Sequence, residues 1–344
     1  MRKKIPVLAL VLLVFLSSCV TMNEFPIEVF QPAKVTLPPS VKNITLVNRN
    51  LKYSSDTLDG HYSKDFKLVK DITPANIDSL SVKACFDSLT LKMQALSRFS
   101  QIKVLPVSSL QKQYVKNINP PSKNLVEKIA ADTEADALIF LDMYSSFYSV
   151  YPNADNDRSI AKVVTASIWT IYDPSKFRIL HHTSLVDTFY WDGLDEQNNY
   201  KASRIPNKKA AMQIAAGLAG VKYSKNIVPG WAKVYRKTLS FNQKDFKTAA
   251  QLAKKNQWEE ASALWEKYLE STKKRARIQA LFNLAVASEM NGEIDRASEL
   301  ISKASQVSSS ASFGTENSAI RKYSAVLAKR KIELSKINSI NYEL

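Results

Sequence analysis

The chain has 344 residues and a formal net charge of +16, from 48 lysines and arginines against 32 acids. This length is enough for two domains with hydrophobic cores of their own. Two cysteines are too few for a disulfide framework, and the seven glycines form no phosphate-binding loop, so disulfide-stapled and nucleotide-binding classes are disfavoured.

The amino-terminal segment has the pattern of a bacterial lipoprotein signal. Three cations at residues 2–4 precede an apolar run over residues 5–16, which is shorter than the ~20 residues of a membrane-spanning helix. Ser17, Ser18 and Cys19 follow. The pattern predicts cleavage after residue 18, a diacylglycerol on the Cys19 sulfur and a palmitate-type chain on its amine. An ordinary secretory signal with an accidental cysteine is the alternative.

Lipidation at Cys19 predicts anchoring to the outer membrane. Only one acid, Glu24, follows closely after the cysteine, which favours the face toward the periplasm. The next segment, residues 19–41, contains four prolines and predicts an extended tether that lifts the body away from the bilayer.

Residues 42–240 predict a small mixed α/β sheet domain, because short apolar runs alternate with amphipathic stretches. Two long β-prone runs around Asp173 and Pro174 predict a β-hairpin over residues 161–191. Predicted strands cover residues 44–47, 102–107, 137–148, 161–172, 178–191 and 231–239, and predicted helices cover residues 74–99, 122–132 and 207–223.

Positive charge is concentrated between Lys201 and Lys247, which hold eleven cations and one acid. For an envelope protein this favours an anionic lipid or an acidic glycan over nucleic acid. The candidate contacts are Lys208, Lys209 and Lys222. The alternative is a solvated helix face and an exposed strand.

Residues 245–340 predict an all-α domain with tetratricopeptide-like repeats. Two segments align at an offset of 36 residues, so that Ala261 matches Ala297 and Asn256 matches Gly292 at the turn between helices. An unrelated helical bundle is the alternative. Such repeats form a concave groove for a peptide or helix, and the candidate lining residues are Asn283, Ser288 and Glu289.

Catalytic signals are weak. His181 and His182 are adjacent in a predicted strand, so their side chains point to opposite faces. Acids at positions 142, 173, 187 and 192 could gather near one of them, which leaves an Asp/His hydrolase as a minor alternative. Cys85 lies beside the apolar stripe of a predicted helix, as a buried inert thiol does. No cofactor or metal site is predicted.

The order of lipobox, tether, α/β body with a hairpin and helical tail resembles a family of uncharacterised outer-membrane lipoproteins of Bacteroides-like bacteria. The segments ADALI at residues 135–139 and IYD at residues 171–173 carry this resemblance together with the architecture. The body is also similar to the α/β domains of the curli-secretion lipoprotein and of the TolB amino terminus. The resemblance implies an α+β fold and a role in envelope assembly or trafficking.

The sequence therefore predicts a non-enzymatic, membrane-anchored lipoprotein that binds a protein or peptide through its helical repeats. The competing hypothesis is a secretion pore component, in which the hairpin over residues 161–191 inserts into the outer membrane. Its strands reach the ~9–11 residues that a crossing needs.

Overall fold

The structure is a computed structural model that describes residues 21–54, 60–62, 67–70, 76–95, 98–152, 158–240, 243–309 and 313–339. Its strands are β1 (Thr21–Gln31), β2 (Asn43–Tyr53), β3 (Gly60–Tyr62), β4 (Leu68–Lys70), β5 (Gln101–Val104), β6 (Gln113–Val115), β7 (Ala137–Pro152), β8 (Ser159–Asp173), β9 (Arg178–Trp191) and β10 (Gly230–Ser240). Its helices are α1 (Ile77–Gln94), α2 (Lys123–Thr133), α3 (Lys208–Ser224), α4 (Lys244–Lys254), α5 (Trp258–Glu266), α6 (Lys274–Met290), α7 (Ile294–Val307) and α8 (Gly314–Asn338).

The described chain divides into two compact units. The sheet unit comprises residues 33–230, and the helical unit comprises residues 21–32 together with residues 231–339. A mixed sheet dominates the first and helices dominate the second, which confirms the predicted α+β fold class. Within the described residues, no helix is both long enough and apolar enough to cross a bilayer.

The sheet unit is a mixed sheet with helices on both faces. Its strand order is β5-β2-β7-β8-β9, and β2 runs parallel to β5, β6 and β7, while β7, β8 and β9 are antiparallel. The first residues of β7 are buried on both faces, as expected of a central strand. Ile139 and Leu141 lie in the core under α1 and α3, whereas Leu138 and Phe140 lie in the core under α2.

Helices α1 and α3 pack closely because α3 presents small residues. A Cβ added at Gly220 would lie 2.2 Å from the carbonyl oxygen of Cys85 in α1, so only glycine permits this approach. Tyr223 of α3 stacks on Trp169 of β8, with ring centroids 4.0 Å apart. The Cys85 thiol is fully buried, as predicted.

The predicted hairpin is present as β8 and β9. Asp173 ends β8 and its carboxylate accepts hydrogen bonds from the Ser175 hydroxyl and the Lys176 N–H, which shapes the turn. Alternate residues of β8, including Ala161, Val163 and Trp169, are buried under α3 or α1. One face of the hairpin therefore belongs to the core of the sheet unit.

The helical unit contains two matching helix pairs, α4/α5 and α6/α7. The aligned turn residues Asn256 and Gly292 both have a left-handed backbone, with φ values of +63° and +80°. The aligned alanines, Ala261 and Ala297, are both fully buried. The equivalent conformations support the 36-residue alignment, while its assignment as tetratricopeptide-like stays a prediction.

Strands β1 and β10 form a two-stranded ribbon that belongs to the helical unit. Phe25, Ile27 and Val29 of β1 are buried in the helical core, and Phe25 packs on Trp258. The segment after Cys19 is extended, as predicted, but it is a packed strand from residue 21 to residue 31 rather than a free tether. Likewise, the last predicted strand of the α/β domain, residues 231–239, forms β10 and pairs with β1 instead.

Candidate functional site

Several predicted site residues lie apart or outside the described chain. Cys19 and the signal segment 1–18 are outside the described residues. Lys208 and Lys209 begin helix α3, whereas Lys222 lies in its last turn, roughly 20 Å away at ~1.5 Å per residue. Lys222 also pairs with Asp187 at 2.7 Å. The three lysines therefore form no single patch, and one positive charge is already matched.

Asn283, a predicted groove residue, binds the backbone of strand β10. It lies in helix α6 and is 1% exposed. Its Oδ1 accepts the Leu239 N–H at 2.7 Å, and its Nδ2 donates to the Leu239 carbonyl at 2.8 Å. The amide thus satisfies both backbone groups of one strand residue, as a neighbouring strand would.

Glu289, another predicted groove residue, binds a second residue of strand β10, Arg236. Its carboxylate accepts two hydrogen bonds of 2.6 Å from the Arg236 guanidinium and one of 2.7 Å from the Tyr323 hydroxyl of helix α8. Burial, and after it the neighbouring Glu289 carboxylate, hold the pKa of Tyr323 well above its usual range. Tyr323 therefore remains a neutral donor at any physiological pH.

Ser288, the third groove residue, is buried, and its carbonyl accepts the Glu293 N–H at the following turn. All three predicted residues are thus engaged within the helical unit and none faces an open groove. The face of α6 chosen for a partner does receive an extended segment, but that segment is the chain's own strand β10.

A cleft remains beside the ribbon, and it is the candidate binding site of the helical unit. Its volume is about 240 Å³. The ribbon contributes Met22 and Tyr235, helix α6 contributes Phe282, and helix α8 contributes Ala319 and Val326. Arg236, Lys237, Ser318, Lys322 and Tyr323 complete the lining. The mixture of an apolar floor and a cationic rim suits an apolar side chain next to an acidic group.

The cationic side chains of the cleft differ in whether a carboxylate of the chain pairs with them. Arg236 is buried and neutralised by Glu289. Lys237 lies 3.6 Å from Glu24, with both side chains about half exposed. Lys322 has no ion-pair partner within the described part of the chain and is exposed. It is therefore the charge best placed to meet an acidic ligand.

Two protein-family profiles match the chain, one in each of its two parts. A profile described as "Domain of unknown function (DUF8603)" matches residues 41–238. The chain belongs to the DUF8603 family. A second profile, "Domain of unknown function (DUF6340)", matches residues 247–329, which run from helix α4 into helix α8. No curated protein matches the chain.

Similarity to solved structures is low. A neuraminyllactose-binding hemagglutinin homolog from Helicobacter pylori is 9% identical over 56% of this chain and 86% of its own, with a TM-score of 0.30. The PelC dodecamer from Paraburkholderia phytofirmans is 9% identical over 58% of this chain and 97% of its own, with a TM-score of 0.23.

Within the DUF8603 region, one acid does connect to a histidine. Asp142 is buried, accepts a hydrogen bond of 2.8 Å from Arg49, and accepts a second from the Thr170 hydroxyl. His182 Nδ1 lies 2.8 Å from the same hydroxyl oxygen. Thr170 is only 3% exposed, so its hydroxyl is closed to a substrate, and the network connects strands β2, β7, β8 and β9.

The other acids do not join this network. Asp173 shapes the hairpin turn, Asp187 pairs with Lys222, and Asp192 accepts the Leu194 N–H. His181 faces the opposite side of the sheet, opposite Ile171. In the described part of the chain, no group of three or more His, Cys, Asp or Glu residues is placed to hold a metal ion.

Sequence reasoning missed the cleft because it missed the ribbon. The signal was present in β1, where Phe25, Ile27 and Val29 alternate with exposed residues at the two-residue period of a half-buried strand. Proline at positions 26 and 32 argued for a tether instead. Pro26 is exposed on an outer position, which a strand of a two-stranded ribbon tolerates.

Proposed function

We propose that the chain is a membrane-anchored envelope lipoprotein that acts as a non-enzymatic protein-binding or assembly factor. The signal pattern before Cys19 supports the anchor. The cleft between the ribbon and helices α6 and α8 supports the binding proposal. It is the proposed site in place of Asn283, Ser288 and Glu289, which the sequence predicted. The tetratricopeptide-like character of the helix pairs belongs to the same proposal.

The lining of the cleft defines the partner's chemistry. Burying one leucine or phenylalanine side chain there is worth about 1.5–3 kcal/mol, whereas an exposed ion pair with Lys322 is worth about 0–1 kcal/mol. The apolar contact therefore supplies most of the affinity, and the lysine supplies orientation. The proposed partner is a protein segment with an apolar anchor next to an aspartate or glutamate.

The pore alternative is disfavoured by the packing of the hairpin. Insertion of β8 and β9 into a bilayer would separate Ala161, Val163 and Trp169 from the helices that bury them. The hydrolase alternative is disfavoured because Thr170 is buried between Asp142 and His182. The contact with an anionic lipid or glycan through Lys208, Lys209 and Lys222 has no shared patch to support it.

The binding proposal is tested with cleft variants of the lipoprotein, purified from detergent-solubilised envelopes. Ala319→Leu fills the cleft and should weaken partner affinity by about 10- to 100-fold, the equivalent of one apolar side chain. Lys322→Glu should weaken it by roughly 3- to 10-fold, as expected for a rim charge.

Arg321→Glu is the matched control, because it makes the same charge change on the neighbouring exposed residue, outside the cleft lining. A partner identified by cross-linking whose affinity is equal for all four proteins would refute the binding site.

The anchor is tested separately by intact mass. The membrane fraction should contain an acylated chain that lacks residues 1–18, and Cys19→Ala should leave the protein unprocessed or release it. A mature, unmodified chain in the supernatant would refute the lipoprotein proposal without bearing on the cleft.

A further inference from the structure

The ribbon of the helical unit has an outer face that is rich in exposed aromatic and apolar side chains. Along β10, Arg236 and Thr238 point inward and are buried, while Trp231 and Tyr235 point outward and are 67% and 60% exposed. Along β1, Met22 is 40% exposed. A strand face that contacts only water usually carries polar side chains. Here large apolar side chains occupy those outward positions.

Strands β1 and β10 contact each other along the whole ribbon. Asn23 contacts Ser240, Glu24 lies near Lys237, and the ring of Phe30 lies edge-on to Trp231 with centroids 5.4 Å apart. These contacts are those of an antiparallel pair. Contact with the Phe30 ring restricts the rotamers of Trp231. Binding of the indole to another surface therefore costs less side-chain conformational entropy.

The position of the Met22 end of this face follows from the lipid anchor, and the inference rests on that part of the proposed function. Only two residues stand between Cys19 and Met22, so an extended chain places Met22 within about 10 Å of the acylated sulfur at ~3.3 Å per residue. Because β1 is packed on the helices, no free tether can lift the helical unit away. The beginning of the ribbon must lie at the headgroup level of the bilayer.

We propose that the outer face of the ribbon lies on the bilayer and inserts Trp231, which is outside the cleft lining, at the membrane interface. Tryptophan and tyrosine prefer this region because an apolar ring and a polar N–H or O–H meet there. The anchored chain end and the exposed aromatic residues occupy the same strand pair. The occupant around Trp231 is therefore the lipid surface, whereas Met22 and Tyr235 remain part of the cleft that is proposed to bind a protein.

The charges of the face decide which lipids it prefers. Lys233 and Lys237 are balanced by Glu24 and Glu28 on the neighbouring strand, and all four are exposed. The face has no net charge, so aromatic partition holds it to the membrane and zwitterionic lipid is sufficient. Contact should therefore change little between low and high salt, in contrast to contact through a basic patch.

The test is tryptophan quenching by brominated lipid in the reconstituted mature lipoprotein. Vesicles of phosphatidylcholine carry bromine near the headgroup or near the acyl end. Trp169, Trp258 and Trp265 are buried, and Trp191 is partly buried in the sheet unit, so Trp231 should provide the quenchable emission. Wild type should be quenched by shallow bromine, more weakly by deep bromine, and equally at low and high salt.

Trp231→Phe should lose this quenching, whereas the control Trp191→Phe should keep it. Equal quenching in both variants would overturn the proposal, as would quenching that requires anionic lipid and disappears with salt. Intact mass of the same sample decides the anchor independently. Absence of quenching in a lipidated chain overturns the ribbon proposal alone, and absence in a chain without the lipid overturns both.

Discussion

The bidentate contact between Asn283 and strand β10 allows the stability of the ribbon to be predicted. Asn283→Ala would remove the acceptor of the Leu239 N–H and the donor to its carbonyl, and both residues are at most 1% exposed. Each buried backbone group left without a partner costs about 1–3 kcal/mol. The variant should therefore destabilise the attachment of β10 by about 2–6 kcal/mol.

Amide hydrogen exchange is the appropriate assay, because two compact units can unfold separately and a single unfolding midpoint would mix them. Exchange of the Leu239 amide should become about 30- to 10⁴-fold faster in Asn283→Ala. Gln251→Ala, which truncates an exposed amide on helix α4, should leave it unchanged. Equal Leu239 protection in Asn283→Ala and wild type would refute the assignment of this contact as the attachment of the strand.

Further predictions concern the sheet unit. Gly220→Ala should lower the unfolding midpoint in urea, because its Cβ would meet the Cys85 carbonyl at 2.2 Å and overpacking costs about 1–3 kcal/mol. Gly217→Ala is its control, since it meets only the movable Ser88 hydroxyl at 3.0 Å and should gain up to about 1 kcal/mol of helix propensity. Burial lowers the pKa of His181 below the usual ~6.5, so the unfolded chain binds more protons than the folded one in the window below that value. Stability should be complete above pH ~6.5 and decline as the pH falls through that window, and urea titrations of His181→Gln should show a flatter profile. Burial raises the pKa of the Cys85 thiol to about 12, so native protein at pH 8 should resist alkylation that proceeds rapidly in urea.

Local patterns in the sequence determined most of the secondary structure. The β-prone runs on either side of Asp173 and Pro174 produced the hairpin, since both the strand preference and the turn depend on neighbouring residues. The 36-residue alignment correctly paired Asn256 with Gly292. A left-handed backbone favours glycine or asparagine at that position, so the turn is visible in the local sequence. The α+β class followed from the same local periodicities.

Only the tertiary structure decided what each apolar face packs against. A period of two shows that one side of β1 is buried, but it does not say that the burial is against helices more than 200 residues later in the chain. Asn283 and Glu289 were predicted to line a groove because their positions in the repeat fit that role. Whether a partner or strand β10 occupies this helix face depends on long-range pairing, which local sequence does not show. The local sequence specifies which side of an element is apolar, whereas the choice of neighbour is made by the free energy of the whole packed unit.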